Sequence, residues 1–380
     1  MMEKNKKIYL DNNATTPLAP EVLDAVVSAL SEFGNPSSVH SLGQKAKALI
    51  ENAREKIASF FAVRPQEVIF TSGGTESCNM LIRGIIGQKP YGHIITTNIE
   101  HAAVYNTVKA LEAAGCKATY LACGLAGFVT KEMMEEYIQP DTRLITVMSV
   151  NNETGVKTDI KSIAELAKER NIPLVVDSIS QLGKELFAID EGISAMAFSG
   201  HKIHAPKGAG FVIVRKNCQL TSSITGGHQE YEKRAGTENV PAIAGLGVAI
   251  DLLKETLPQA QTKMATLRDY FEEELIARLQ YIEVNGVAMR NANTSNLAFA
   301  DVEGEVLLRL LDLEGVMASH GSACASGALE PSRILLNMGL SRKKAASSLR
   351  FSLSRYTTED EIEEAIGIIV HCVERLRGMN

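Results

Sequence analysis

The sequence predicts an α/β protein: a large unit with a mostly parallel sheet covered by helices, followed by a smaller α+β unit. Three observations predict it. From about Pro20 to Gly210, helix-period stretches alternate with short β-branched runs, the pattern of strands joined by crossover helices. Several of those runs stop abruptly in polar residues, as strands do at the carboxyl edge of an open parallel sheet. After Leu257 comes the polar stretch PQAQTKMATLRDYF, then a helix-rich part with fewer strand runs.

In the first unit, strands are expected over Glu67 to Phe70, His93 to Thr97, Ala118 to Leu121, Leu144 to Ser149, Pro173 to Val176, Ala195 to Phe198 and Gly210 to Val214. Helices are expected over Pro20 to Leu30, Leu42 to Phe61, Glu76 to Ile86, Ala103 to Ala114, Lys131 to Tyr137, Ile160 to Arg170 and Val240 to Leu257. The second unit, beginning after Leu257, is expected to hold helices near Lys263 to Leu279, Glu303 to Leu313 and Asp360 to Leu376, with strands at Tyr281 to Val284 and Thr294 to Phe299.

The 380 residues suffice for two domains, and a composition 45% hydrophobic and 22% charged is that of a globular protein. A net charge of −6 with no long Lys/Arg block argues against direct nucleic-acid binding and for small-molecule chemistry. The opening MMEKNKKIYL lacks an apolar signal core, and no run is long enough to cross a membrane, so a cytoplasmic protein is expected. The six cysteines contain no CxxC pair, which gives no metal-site or dithiol spacing. Cys78, Cys116, Cys123, Cys218 and Cys372 lie in or beside apolar periodic segments and are read as packing. Cys324 differs. It lies among Gly321, Ser322, Ala323, Ala325, Ser326 and Gly327, which offer little packing area and much backbone freedom, a setting for a mobile thiol.

The polar strand ends are Asn151, Asn152 and Glu153 after MSV, Asp177 after LVV, and Ser199, Gly200, His201 and Lys202 after AMAF. FTSGGTES puts Gly73, Gly74 and Thr75 between a strand and a helix, where backbone N–H groups can take a phosphate, although the same residues also make an ordinary helix start. It matches neither a nucleotide P-loop nor a dinucleotide fingerprint, which leaves a phosphate-bearing cofactor of another kind. Lys202 could form a Schiff base and Asp177 could hold a protonated pyridine nitrogen, or the two could form a plain salt bridge.

Taken together, YLDNNATTP, GNPSSVH, FTSGGTES, Glu100-His101-Ala102, NNETG, VVDS, FSGHK with APKG, RAGTENV, GSACASGALEPS and RFSLSRYTTEDEI resemble, in order and spacing, the NifS-like and IscS-like cysteine desulfurases. These are a class V aminotransferase branch of the fold type I pyridoxal-phosphate (PLP) enzymes, and the likeness covers nearly the whole chain. The resemblance implies a large PLP-binding domain over 18–257 and a small domain, from 1–17 and 258–380, carrying the cysteine loop. It implies that Lys202 holds PLP covalently, that Asp177 pairs with its pyridinium nitrogen, and that His101 stacks on the ring and shuttles protons. Gly74, Thr75, Ser199 and His201 would bind the phosphate, with Thr237 reaching it from the second subunit of a homodimer. Asn152 would lie near the cofactor hydroxyl and substrate, Arg350 would clamp the substrate carboxylate, and Cys324 would be the nucleophile.

The chain departs from the family pattern at Ser180, a cofactor-side position where Gln is usual and which Gln181 follows, at His228 in GGHQE, and at His320 before GSAC, read as a solvated loop histidine. The implied reaction converts L-cysteine to alanine and a persulfide on Cys324, passed on to an acceptor protein in iron–sulfur cluster assembly or in tRNA or cofactor thiolation. A selenocysteine lyase or related β-lyase is the alternative within the same fold. A non-catalytic partner protein is the alternative outside enzymes, and Lys202, Asp177, His101 and Cys324 all speak against it.

Overall fold

A computed structural model describes residues 7–88, 90–286, 288–321 and 330–378. In chain order its strands are β1 (Ile8–Tyr9), β2 (Val68–Thr71), β3 (His93–Thr97), β4 (Lys117–Leu121), β5 (Thr142–Met148), β6 (Leu174–Asp177), β7 (Ala195–Ser199), β8 (Gly210–Val214), β9 (Ile282–Val284), β10 (Thr294–Phe299), β11 (Val316–Met317) and β12 (Ser348–Ser352). Strands β2 to β8 form one sheet in the order β2-β8-β7-β6-β5-β3-β4. Strands β3 to β7 pair in parallel, and β8 runs antiparallel to both β2 and β7.

Successive side chains of a strand face opposite ways, so a strand with apolar residues at every position needs cover on both sides. The sheet has it. Ile69, Ile94, Leu144, Val175, Ala195, Ala197, Val212 and Val214 pack against the helices Gly74–Ile86 and Ala102–Ala113. Their neighbours Val68, Phe70, Ile95, Ile145, Val176, Met196, Phe198, Phe211 and Ile213 pack on the other side, with Ser41–Phe61, Ile160–Glu169 and the first half of Val240–Arg278. A separate core gathers around the antiparallel sheet β12-β10-β9. It takes Ile8 and Leu10 from the chain start, Met264, Phe271 and Leu275 from the end of the long helix, and the inner faces of Gly304–Leu313 and Glu359–Arg377. Among the described residues no helix is long and apolar enough to cross a membrane.

Apart from the helix beginning at Val240, the expected strands and helices of the first unit agree with the observed ones to within two residues at each end. The main difference is at Leu257. In place of two helices and a polar break, one 39-residue helix runs from Val240 to Arg278 with Pro258 inside it. Leu257, Ala260, Met264, Leu267, Phe271 and Leu275 keep the helical spacing on a buried side, and that burial overrides the polar composition. Proline lacks an N–H and leaves the carbonyl four residues back, on Lys254, without its helical donor. Both residues are exposed, so water can serve that carbonyl. The boundary expected after Leu257 thus falls within a continuous helix.

One buried ion pair fixes a segment at the edge of the large sheet. Arg54 donates to Glu230 through two nitrogens at 2.9 and 2.7 Å and to the Val68 carbonyl at 2.7 Å. Glu230 also accepts from the Phe70 N–H at 2.8 Å. Glu230, Tyr231 and Glu232 all have left-handed φ angles of 47, 56 and 63°, a strained run that persists because these bonds hold it. Glu230→Ala leaves the buried Arg54 with only the partly exposed Glu51, 3.3 Å away, as an acid partner, and about 3 kcal/mol of stability should be lost in urea unfolding. Pairing it with Arg54→Met should restore most of that loss; equal destabilisation by the single and double variants would contradict this account.

Candidate active site

The parallel strands end on one side of the sheet, and a cavity opens there. It encloses about 740 Å³, space open to solvent included, and is lined by Asn13, Ala14, Gly74, Thr75, His101, Met148, Val150, Asn152, Asp177, Ile179, Ser180, Ser199, His201, Lys202 and Arg350. Five strand ends contribute. Gly74 and Thr75 follow β2, His101 follows β3, Asn152 follows β5, Asp177 ends β6 and Ser199 ends β7. The helix Gly74–Ile86 starts without a side-chain cap, so its first N–H groups remain available. A side chain on Gly74 would collide with Ile179 at 2.3 Å, and Gly73, at φ 145°, holds a backbone conformation that side chains resist. Beside this helix start the buried Ser199 hydroxyl has no partner among the described residues.

Asp177 is buried, and burial raises its carboxyl above the ordinary value, with the His101 charge opposing. One oxygen accepts the Ile179 N–H at 3.0 Å and the other the Cys78 thiol at 3.7 Å. Burial likewise pushes the Cys78 thiol well up, so it remains protonated as a donor. His101 caps the helix Ala102–Ala113, its Nδ1 accepting the Ala103 N–H at 3.1 Å. Burial lowers its pKa against the pull of Asp177, with Lys202 and Arg333 reinforcing the shift. A neutral ring that accepts at Nδ1 carries its proton on Nε2. Next to it, burial pushes Glu100 up to about 8, although the Thr97 hydroxyl and Met148 N–H donate to it at 2.7 and 3.1 Å.

Lys202 follows β7 and donates through Nζ to the Asn13 carbonyl and, at 2.9 Å, to that of Ala14. His201 lies against Thr15 at 3.2 Å, and burial with the charges of Lys202, Lys207 and Lys184 brings it down to about 4. Arg350, on β12, is 1% exposed. Its guanidinium donates to Asp11 at 2.7 Å and to the Asn152 carbonyl at 3.0 Å, while Nε and the Asn152 side-chain oxygen have no partner among the described residues. The Asp11 carboxyl is raised by burial, against the Arg350 charge.

Ten of the residues expected from sequence share this cavity: Gly74, Thr75, His101, Asn152, Asp177, Ser180, Ser199, His201, Lys202 and Arg350. Thr237 does not. It is exposed, in a surface groove with Leu30, Phe33, Asn35 and Pro36. Cys324 lies outside the described residues. Gln181 donates to Glu185 at 2.8 Å, and the cavity is lined by its neighbour Ser180. His228 is exposed and contacts Glu232 at 2.8 Å. His320, expected in solvent, is half-buried with Nε2 on the Ala346 carbonyl at 3.0 Å, because it packs against Gly304 at the start of a helix. Of the five cysteines read as packing, four are buried and Cys218 is half-buried. Asn13, Ala14 and Cys78 are site neighbours that the sequence reading assigned no role. The signal for the first two was the polar DNN run of YLDNNATTP; Cys78 carried none beyond its place one turn into the Gly-Thr helix.

Residues 8–365 match the aminotransferase class-V family. A cysteine desulfurase from Trichormus azollae is 44% identical over 377 residues, covering 98% of this chain and 94% of that protein. Among solved structures, a NifS-like protein superposes with a TM-score of 0.90 at 32% identity, over 97% of this chain and 100% of that one. SspA, solved in complex with cysteine, gives a TM-score of 0.81 at 34% identity over 93% of this chain and 100% of its own. The chain belongs to the aminotransferase class-V family, in its cysteine desulfurase branch.

Proposed function

We propose that this chain is a PLP-dependent cysteine desulfurase, which releases L-alanine from L-cysteine and keeps the sulfur as a persulfide on Cys324. The observation that carries the reading is the single cavity bringing Lys202, Asp177 and His101 together with an uncapped helix start and a buried arginine. PLP fits what is there. The helix start and the unpartnered Ser199 hydroxyl suit a phosphate, the buried Asp177 suits a pyridinium nitrogen, and Lys202 suits covalent attachment. When bound, the cofactor supplies an electron sink that lets the substrate's α-proton leave and loosens its bond to sulfur.

Gly74, Thr75, Ser199 and His201 hold the phosphate; the low pKa of His201 keeps it a neutral hydrogen-bonding group there. Asp177, buried where its charge is costly, gains most from a cationic partner. Asn152, with its free side-chain oxygen, and Ser180 lie against cofactor and substrate. His101 takes or gives a proton at Nε2. Arg350, one edge held by Asp11 and Asn152, uses its remaining N–H groups on the substrate carboxylate. The Cys324 thiolate then attacks the substrate sulfur: an S–S bond forms, the C–S bond breaks and the carbon takes a proton. The sulfur passes on to an acceptor protein of iron–sulfur cluster assembly or of tRNA or cofactor thiolation.

The working form is a cytoplasmic homodimer in which Thr237 reaches the partner's phosphate, with residues 18–257 as the large domain and 1–17 with 258–380 as the small one. Exposed Leu23, Val27, Leu30, Phe33 and Val39 support the dimer, with Leu30 and Phe33, the latter at 81% exposure, lining the groove of Thr237. The separate core from Ile8 to Val373 supports the two domains.

Three outcomes are expected. Lys202→Ala should abolish turnover yet retain PLP held by the phosphate and ring contacts; normal desulfuration would end the assignment. Cys324→Ala should bind PLP and L-cysteine but form almost no alanine, and peptide mass spectrometry of the wild type after cysteine should find the extra sulfur on Cys324 alone. Sedimentation should show a dimer, and Thr237→Ala should weaken PLP retention without unfolding; a fully active, PLP-saturated monomer would refute the shared site.

A further inference from the structure

Behind Lys202 lies a second lysine for which the reaction above has no use. Lys184, in the turn segment after β6, is buried at 3% exposure, and its Nζ donates to the main-chain carbonyl of Lys202 at 2.7 Å. No carboxylate among the described residues pairs with it. The adjacent Glu185 is engaged elsewhere, with Lys157 at 2.7 Å and with Gln181. The titratable and charged groups that face Lys184 are all basic: Lys202 and His201 just after β7, His204 in the same turn, and Arg355 after β12. A buried ammonium without an acid is costly, and an apolar side chain of similar length would fill the space without that cost. Burial together with the Lys202 and Arg355 charges brings Lys184 down to about 7.

We infer that Lys184 is a positioning residue for Lys202: its hydrogen bond fixes the Lys202 main chain, and its ammonium disfavours a second positive charge on the Lys202 nitrogen. This rests on the reading of Lys202 as the cofactor lysine. Two amines that feel each other's charge titrate as a pair, each proton harder to hold while the other is present. Lys202 also faces His101 and the acids Asp177 and Asp11, and the acids favour its charged form; the consequence of the Lys184 ammonium is a Lys202 nitrogen that gives up its proton more readily than it would without that charge, toward the state in which an amine can act as a nucleophile. His201 and His204, brought down to about 4 and about 3, add no charge of their own at that pH.

The test is a pH titration of the visible absorption of PLP in the holoenzyme, comparing wild type, Lys184→Gln and Lys184→Arg, with circular dichroism and cofactor content as controls. Gln can still donate to the Lys202 carbonyl but carries no charge. Its midpoint should rise by about one pH unit, the size expected for one unscreened charge at this depth, and the curve should sharpen to a single-proton transition. Arg, permanently charged, should leave the midpoint at or below that of the wild type. A Lys184→Gln curve with the wild-type midpoint and slope would overturn the inference; should Gln not fold, Lys184→Met, of similar volume and equally uncharged, gives the same comparison. The reading beneath is tested separately. A wild-type band that survives Lys202→Ala ends the assignment of Lys202, whereas a band that depends on Lys202 but ignores Lys184 ends only this inference.

Discussion

The carboxyl group of Asp177 is buried at the end of a central strand, and the surrounding chain supplies what it takes to keep it there. An unpaired carboxylate in such a place is costly enough that it would sooner take up a proton. The chain answers with short-range donors, the Ile179 N–H and the Cys78 thiol, and with groups able to carry positive charge, His101 and Lys202. Its position is fixed by the sheet. Met148, Asp177 and Ala197 stand in register across β5, β6 and β7, and both faces of these strands are buried. A slip of one residue would turn each strand's large side chains toward the wrong helices, so the register holds and Asp177 with it.

The second constraint is the chain start, which ties two sheets together. Thr16 binds the His201 carbonyl, Asn12 and Asn13 bind Ser352 at the end of β12, and Asn13 also reaches Thr294 and the Asn152 carbonyl. Asn293 and Asn291 extend this buried network. Most of its polar groups are paired, although the side-chain oxygens of Asn12 and Asn291 have no partner among the described residues, and so many cross-links make the segment a rigid seam. Arg350 on β12 and Lys202 after β7 belong to different sheets, and the same segment touches both: Asp11 holds one and the Asn13 and Ala14 carbonyls hold the other.

Much of this was legible in the sequence because buried parallel strands are apolar runs that end where solvent or ligand begins. His93–Thr97 and Gly210–Val214 were readable to the residue, and the polar residues that end or follow β5, β6 and β7 marked the site. What escaped were elements whose existence depends on distant partners. Ile8–Tyr9 and Val316–Met317 are strands only because they pair with each other. Ser348–Ser352, by contrast, alternates polar and apolar residues strictly, a strand signal present in the sequence that the expected elements left out. The long helix was cut at Pro258 because local composition cannot report that Met264 and Phe271 are buried by a helix nearly a hundred residues away. Cys78 looked like packing, and it does pack; that it also meets Asp177 is a fact of sheet and helix placement alone.

Charge shows the same gap between composition and place. The chain as a whole carries −6, yet the cavity gathers Lys202 and Arg350, with Lys184 behind them and Arg333 beside His101. The acids nearest them have burial pushing them toward the neutral form, Glu100 up to about 8 and Asp177 and Asp11 raised as well. The histidines are pushed the other way, so neither set adds its full charge at neutral pH. What remains is a field set by lysine and arginine in a partly dry space, where it is far stronger than at the surface. Such a field favours ligands bearing phosphate and carboxylate groups, and it makes each added positive charge expensive. The same burial that raises Asp177 therefore readies its carboxyl for a cationic partner, in a cavity whose fixed charges already favour an anionic ligand.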